Sequence, residues 1–79
     1  AISVSPNPAN QFVKVVFKEC GKSTEIKLVD LSGKVLYDTR IQNSDSYIMD
    51  INDIDPGVYY LQLNCLEKQG VYYEKIMIL

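Results

Sequence analysis

Apolar and polar residues alternate with a period of two along most of this chain, and no segment keeps an apolar period near 3.6. Such alternation is typical of β-strands that bury one face. Seven short strands with polar turns between them predict an all-β fold: an antiparallel seven-stranded β-sandwich with no helix beyond a turn. The strands are expected at about residues 2–5, 13–18, 25–30, 35–41, 47–51, 58–63 and 71–79.

The predicted core consists of the apolar positions on one face of these strands. Segment 58–63 is apolar on both faces except at Gln62, so we expect it to lie in the middle of a sheet. In the last strand, Glu74 and Lys75 interrupt the apolar run, as polar residues do on an edge strand. The expected core residues are Val13, Val15, Phe17, Ile26, Leu28, Tyr59, Leu61, Leu63, Ile76 and Ile78.

Two glycine turns are predicted from local residue chemistry. The run 31–34 is typical of a tight hairpin in which Gly33 supplies a positive φ. Pro56 fixes its own φ at about −65°. Gly57 is expected to adopt dihedrals that are closed to residues with a side chain. The acidic stretch 50–55 that precedes this turn is expected to hydrogen-bond its own backbone.

Size and charge restrict the possible functions. Seventy-nine residues make one small domain, which buries roughly 60% of its unfolded surface. The net charge is −2 and the eight Lys and Arg residues are scattered, so no basic stripe indicates a nucleic-acid partner. No apolar run approaches the roughly 20 residues of a transmembrane segment. The chain begins at Ala1 without Met or a secretory leader pattern, so we expect a fragment of a larger protein.

Residues for catalysis or metal binding are scarce. The chain has no His, and no Ser lies in a nucleophile-elbow pattern, so we expect neither an enzyme nor a bound cofactor. Asp50, Asp53 and Asp55 form the densest acidic group, but they lack the ligand spacing of a Ca²⁺ loop. A role in turn formation is therefore favoured over an incidental calcium site, and no metal site is predicted.

Two cysteines, Cys20 and Cys65, lie close to the ends of predicted strands. They permit one disulfide, or they are two separate small apolar side chains. Pairing needs Cα atoms within about 7 Å, which residue spacing does not establish, so both alternatives stay open. Without a His partner, neither Cys is expected to act as a nucleophile.

Tyrosine is the most common aromatic residue, with six copies against two Phe and no Trp. Tyr59, Tyr60, Tyr72 and Tyr73 fall in two strands that could be neighbours. Exposed and coplanar, they would suit a sugar-binding platform. Packed in the core with the hydroxyl at the rim, they would have the more common role of Tyr in a small sandwich.

Three ordered segments and the final strand carry a family resemblance. They begin at a Pro-Asn-Pro loop, continue through a Ser-Gly-Lys hairpin and a Pro-Gly turn, and end in the last strand. In this order and spacing they resemble the C-terminal sorting domain of the type IX (Por) secretion system, over essentially all of residues 1–79. The motif residues are Pro6, Asn7, Pro8, Asp30, Ser32, Gly33, Lys34, Pro56, Gly57, Tyr59, Lys75, Ile76 and Ile78.

The resemblance implies a role as well as a fold. Members of that family are immunoglobulin-like β-sandwiches at the C-terminus of large secreted proteins of Gram-negative bacteria. The resemblance implies that the domain passes through the periplasm and is read as an address by the outer-membrane translocon. It also implies that a cell-surface sortase then removes the domain upstream of its first strand. The covalently attached cargo would reach the outer-membrane surface, joined to anionic lipopolysaccharide, or be secreted.

Two further expectations concern how such an address is read. A last strand at a sheet edge offers unpaired backbone groups for β-augmentation by a receptor. The Pro6–Pro8 loop is expected to matter less than this strand, because a loop adds little core area. The alternative function is a small carbohydrate-binding or adhesion module, because β-sandwiches host many functions.

Overall fold

The computed structural model describes residues 2–68 and 70–79. Within these residues, seven strands form two antiparallel sheets, which confirms the predicted all-β fold and its strand number. One 3-10 turn lies at Lys18–Cys20. The strands are β1 (Ser3–Ser5), β2 (Phe12–Val16), β3 (Ser23–Val29), β4 (Val35–Gln42), β5 (Ser46–Asp50), β6 (Gly57–Cys65) and β7 (Gly70–Ile78).

The two sheets have three and four strands, in the orders β1-β2-β5 and β4-β3-β6-β7. β6 is the interior strand that the two-sided apolar pattern predicted, because it pairs with β3 on one side and with β7 on the other. Leu61 accordingly lies opposite both Leu28 and Glu74. β7 is an edge strand, as its polar interruption indicated.

The core lies between the sheets and contains every residue that the alternation assigned to it. Val13 and Val15 show the rule clearly, since both are fully buried while Lys14 between them is exposed. Further buried apolar residues come from positions whose pattern was weaker. They are Ala9, Cys20, Met49, Ile51 and Cys65.

The directions of the strands place three of the turns at one end of the sandwich, which we call the motif end. It holds loops 6–11, 30–34 and 51–56 together with the last residues of β7. The backbone N–H of Ile51 donates to the carbonyl of Gln11 at 3.1 Å, which joins two of these loops. Gly57, which follows loop 51–56, pairs with Ile78 near the end of the chain.

The opposite end is closed by a disulfide between Cys20 and Cys65, which resolves the open question about the two cysteines. Their Cα atoms lie 4.6 Å apart, and 45 positions separate them along the chain. Beside this bond, the backbone N–H of Lys22 donates to the Glu67 carboxylate at 3.1 Å. The cross-link therefore ties the β2–β3 connection to the end of the central strand β6.

Candidate functional site: the motif end and the edge of β7

Asn7 joins the first loop of the chain to its last strand. Its side-chain Nδ2 donates to the backbone carbonyl of Lys75 at 3.1 Å, and its Oδ1 accepts from the N–H of Met77 at 3.0 Å. One side-chain amide thus supplies the donor and acceptor that a neighbouring strand would supply. The peptide bonds before Pro6 and Pro8 are both cis.

Ala9 continues the same contact with its backbone. Its N–H donates to the carbonyl of Met77 at 2.9 Å, and its carbonyl accepts from the N–H of Leu79 at 2.8 Å. Ala9 forms a parallel bridge with Ile78, and only 2% of its surface is exposed. Loop residues 7–9 therefore cover the C-terminal half of the β7 edge.

The other half of this edge has no partner strand in the described part of the chain. Both backbone groups of Met77 point away from β6. Because these groups alternate in direction along an antiparallel strand, the N–H and C=O groups of Val71 and Tyr73 point outward as well. The N–H of Lys75 lies on that side too, beside the carbonyl that Asn7 binds. Segment 71–75 therefore presents an open strand edge.

A shallow groove of about 170 Å³ lies where the loop meets β7. It is lined by Asn7, Val58, Lys75, Ile76 and Met77. Ile76 and Ile78 are almost fully buried, so these two motif residues serve the core. Lys75 and Met77 are exposed beside the groove, and they are the motif-end residues of β7 that a partner could touch.

The hairpin between β3 and β4 is organised by the Asp30 carboxylate. Its Oδ1 accepts from the Ser32 N–H at 2.9 Å, the Ser32 hydroxyl at 2.7 Å and the Lys34 N–H at 2.9 Å. The backbone closes the loop through Asp30 N–H to Lys34 carbonyl and Gly33 N–H to Asp30 carbonyl, both at 3.0 Å. Gly33 has φ of 91°, which confirms the predicted positive φ.

These bonds also set the charge state of Asp30. The Ser32 hydroxyl, followed by the Lys34 N–H, holds the pKa of Asp30 below its usual value because both bonds favour the ionised carboxylate. The Asp-Leu-Ser-Gly-Lys motif therefore encodes a hairpin that is bonded internally, with Leu31 projecting 68% exposed at its tip.

Tyr59 fixes the Pro-Gly turn from the core side. Its hydroxyl donates to the carbonyl of Asp55 at 2.6 Å while the residue is only 7% exposed. A buried Tyr that bonds back across the turn before its strand has the geometry of a tyrosine corner, a feature of immunoglobulin-type sandwiches. Gly57 has φ of 157°, a backbone conformation that residues with a side chain rarely adopt, which confirms the prediction for this turn.

The acidic stretch ahead of that turn bonds to itself, as its composition indicated. Asp50 Oδ1 accepts from the backbone N–H and the side-chain amide of Asn52 at 2.9 and 2.8 Å. The N–H of Ile54 then donates to the carbonyl of Ile51 at 3.0 Å. The Asp50 carboxylate and the Ile51 carbonyl thus help to build the loop.

A tyrosine pair that sequence patterning missed joins the two sheets. Tyr37 on β4 and Tyr47 on β5 share a hydrogen bond between their hydroxyls, with ring centroids 6.5 Å apart. This bond, with burial as the second cause, raises the pKa of Tyr37 to about 12. The pair links the sheets along one side, while Asn7 and Ala9 join the β1–β2 loop to β7.

The four tyrosines considered as a platform are separated by the register. Tyr59 is buried on the inner face of β6, and Tyr60 lies on the outer face. Tyr73 shares that outer face and is 61% exposed, whereas Tyr72 lies opposite Leu63 on the inner face and is 43% exposed. A single coplanar row of four rings is therefore absent.

The family of secretion system C-terminal sorting domains has a model that matches residues 3–79 of this chain. The chain belongs to this family. The residues on which the sequence resemblance rests lie in three loops and two strand segments that meet at the motif end. Within the described residues, no helix is long and apolar enough to span a membrane.

Solved structures show the same fold. The sorting domain superposes on part of PorZ, described as an essential surface component of the type-IX secretion system of Porphyromonas gingivalis, with a TM-score of 0.79 and 16% identity. That match covers 100% of this chain and 11% of PorZ. A protein of the DUF3244 family from Bacteroides vulgatus, described as an immunoglobulin-like β-sandwich, matches with the same TM-score and identity, over 96% of this chain and 82% of its own. No curated protein matches the chain.

Proposed function

We propose that this sorting domain is the C-terminal secretion signal of a larger protein, and that it directs its cargo through the type IX outer-membrane translocon. The observation that carries the proposal is the family match over residues 3–79. The likeness to PorZ supports the type IX assignment, since PorZ is described as a component of that system.

The bonds made by the motif residues support a role as a secretion signal rather than as a catalytic site. The Asn7 amide, the Asp30 carboxylate and the Tyr59 hydroxyl each bond within the domain. They shape a surface and leave no arranged nucleophile and base, so we propose that the domain has no enzymatic activity of its own.

The compartments of this route are part of the proposal. The Cys20–Cys65 disulfide suits the oxidising periplasm and cell surface. On arrival, a surface sortase removes the domain upstream of β1, and the cargo stays attached at the outer-membrane surface or is released. The partners are therefore translocon components, the sortase and the upstream cargo.

An export experiment tests this function. The domain is fused to the C-terminus of a fluorescent cargo with its own inner-membrane leader, in a bacterium that has a type IX system. Surface and medium fluorescence should rise, and the cargo should lose the mass of the domain. A matched fusion lacking Lys75–Leu79 should stay in the periplasm, because the deletion removes the motif end of β7. Periplasmic retention of the intact fusion would refute the proposal.

The carbohydrate-binding alternative has one supporting observation, the outer face of β6 and β7. Tyr73 there is 61% exposed and lies opposite Gln62, and Tyr60 shares the face. Aromatic and amide side chains together suit a sugar ring. A glycan-array screen of the isolated chain decides this alternative, since binding that Tyr73→Ala abolishes would favour it.

A further inference from the structure

The edge of β7 is divided into a closed half and an open half. Asn7 and Ala9 bind the outward backbone groups from the Lys75 carbonyl to the Leu79 N–H. Segment 71–75 keeps outward N–H and C=O groups that no described residue pairs. The division falls within one residue, Lys75, whose carbonyl is bound while its N–H is open.

Sheet edges of this kind are usually protected, because unpaired strand groups recruit other strands. Along the open half, the protecting charges are those of Glu74 and Lys75. The outer face of this half presents Val71, 49% exposed, and Tyr73, 61% exposed. Lys75 is the charged residue of that face, and it lies opposite Tyr60. No carboxylate in the described part of the chain forms an ion pair with Lys75.

We propose that the secretion receptor reads this domain by adding an extended strand of its own to β7 along Val71–Lys75. The Asn7 side chain ends the added strand, because it already occupies the next backbone groups. The receptor strand carries an acidic side chain near Lys75 and apolar side chains near Val71 and Tyr73. This inference rests on the proposed sorting function and adds the place and mode of recognition.

A receptor strand fits the open edge better than a second copy of the domain does. Five residues of strand span about 16 Å. Pairing of two such edges is a short contact, whereas a stable interface buries roughly 1,200 Å² or more. Asn7 and Ala9 prevent the pairing from extending along β7. A receptor can also contact the exposed Lys75 and Met77 beside the groove. Two copies of the domain related by a two-fold axis do not bring these side chains into contact with each other.

The substitution Tyr73→Pro distinguishes an effect on strand addition from an effect on folding. The Tyr73 N–H points away from β6, so Tyr73→Pro removes no hydrogen bond within the sheet, as edge-strand prolines generally do not. It does remove a donor that an added strand needs, and its ring obstructs the approach. Tyr73→Val is the matched control, because it also removes the aromatic ring but keeps the N–H. Both variants are measured as cargo fusions for export and as isolated chains for denaturation.

Export of the Tyr73→Pro fusion should fall about tenfold or more, while Tyr73→Val stays close to the intact fusion. The denaturation midpoints of the two variants should lie close together. Val71→Pro against Val71→Thr repeats the comparison at the other open donor, so the test survives if one proline variant unfolds.

Three outcomes overturn the inference. Normal export of both folded proline variants would show that the receptor does not pair with this edge. Equal losses in proline and control variants would assign recognition to the side chains. Sedimentation of the intact chain as a dimer that Tyr73→Pro dissociates would assign the edge to a second copy. If the unmutated fusion is not exported, the sorting function itself is refuted, and this outcome is distinct from the three above.

Discussion

The side-chain amide of Asn7 is bonded to the backbone of Lys75, 68 positions later in the chain, at 3.1 Å. With the second bond from the Met77 N–H to Asn7, this contact makes the first loop a substitute partner for the last strand. The first loop and the last strand, which both contribute to the sequence resemblance, are therefore one structural unit. A change at either end alters the surface at the other.

Replacement of Asn7 should open the edge that it covers. Asn7→Ala should speed amide hydrogen exchange at Met77 and lower the free energy of unfolding by about 1 kcal/mol, because two exposed hydrogen bonds are lost. Asn7→Asp keeps an acceptor for Met77 but turns a carboxylate oxygen toward the Lys75 carbonyl, so exchange at Met77 should be slower than in Asn7→Ala. Unchanged exchange at Met77 in Asn7→Ala would contradict the contact.

Truncation of a core side chain on the central strand β6 should lower the free energy of unfolding far more than the loss of the Asn7 contacts. Leu61 is fully buried on β6 between β3 and β7. Leu61→Ala should lower the free energy of unfolding by about 2–5 kcal/mol, the range for a large core truncation. Gln62→Ala, on the opposite face of the same strand, is the control and should have a small effect. A loss for Leu61→Ala below about 1 kcal/mol in chemical denaturation would mean that the strand is not central.

Loss of the disulfide should destabilise the domain without rearranging the motif end. The Cys20–Cys65 bond closes a separation of 45 residues, and such cross-links stabilise by about 2–4 kcal/mol. The double variant Cys20→Ala with Cys65→Ala should show this loss in chemical denaturation. Addition of reductant should shift the midpoint of the unmodified chain and leave the double variant unchanged. Equal shifts in both chains would show that the bond does not form in solution.

Ionisation of Asp30 should make part of the free energy of unfolding depend on pH in the acid range. Its pKa is lowered in the folded state by the bonds from Ser32 and Lys34, so its ionised form is favoured by folding. The resulting stability is present above the ordinary pKa of an Asp and is lost as pH falls through the lowered folded value. Asp30→Asn should flatten the stability profile in that acid range. The same slope in both chains, measured by denaturation at a series of pH values, would refute this role.

Much of the fold, but only part of the candidate site, could be predicted from the local pattern of apolar and polar residues. The burial of Val13, Val15 and Ile26 was predictable because period-two alternation directly reports which side of a strand faces the core. Gly33 was predictable because a tight hairpin needs a positive φ. These features depend on residues that are neighbours along the chain or within one strand.

The remaining features depend on how distant segments come together. The Asn7–Lys75 contact exists only once the β1–β2 loop lies against β7, and hydrophobic patterning carries no signal for it. The Cys20–Cys65 pairing needed a Cα separation, here 4.6 Å, that only the closed sandwich provides. The Tyr37–Tyr47 bond likewise joins strands of different sheets.

The most direct test of the sorting role is a comparison of one fusion in two strains. The intact domain is placed behind a fluorescent cargo, and the ratio of surface and medium cargo to periplasmic cargo is measured with and without a functional type IX translocon. The ratio should be high in the first strain and should collapse in the second, with the unprocessed fusion accumulating in the periplasm. An equal ratio in the two strains would contradict the assignment of this domain as a type IX sorting signal.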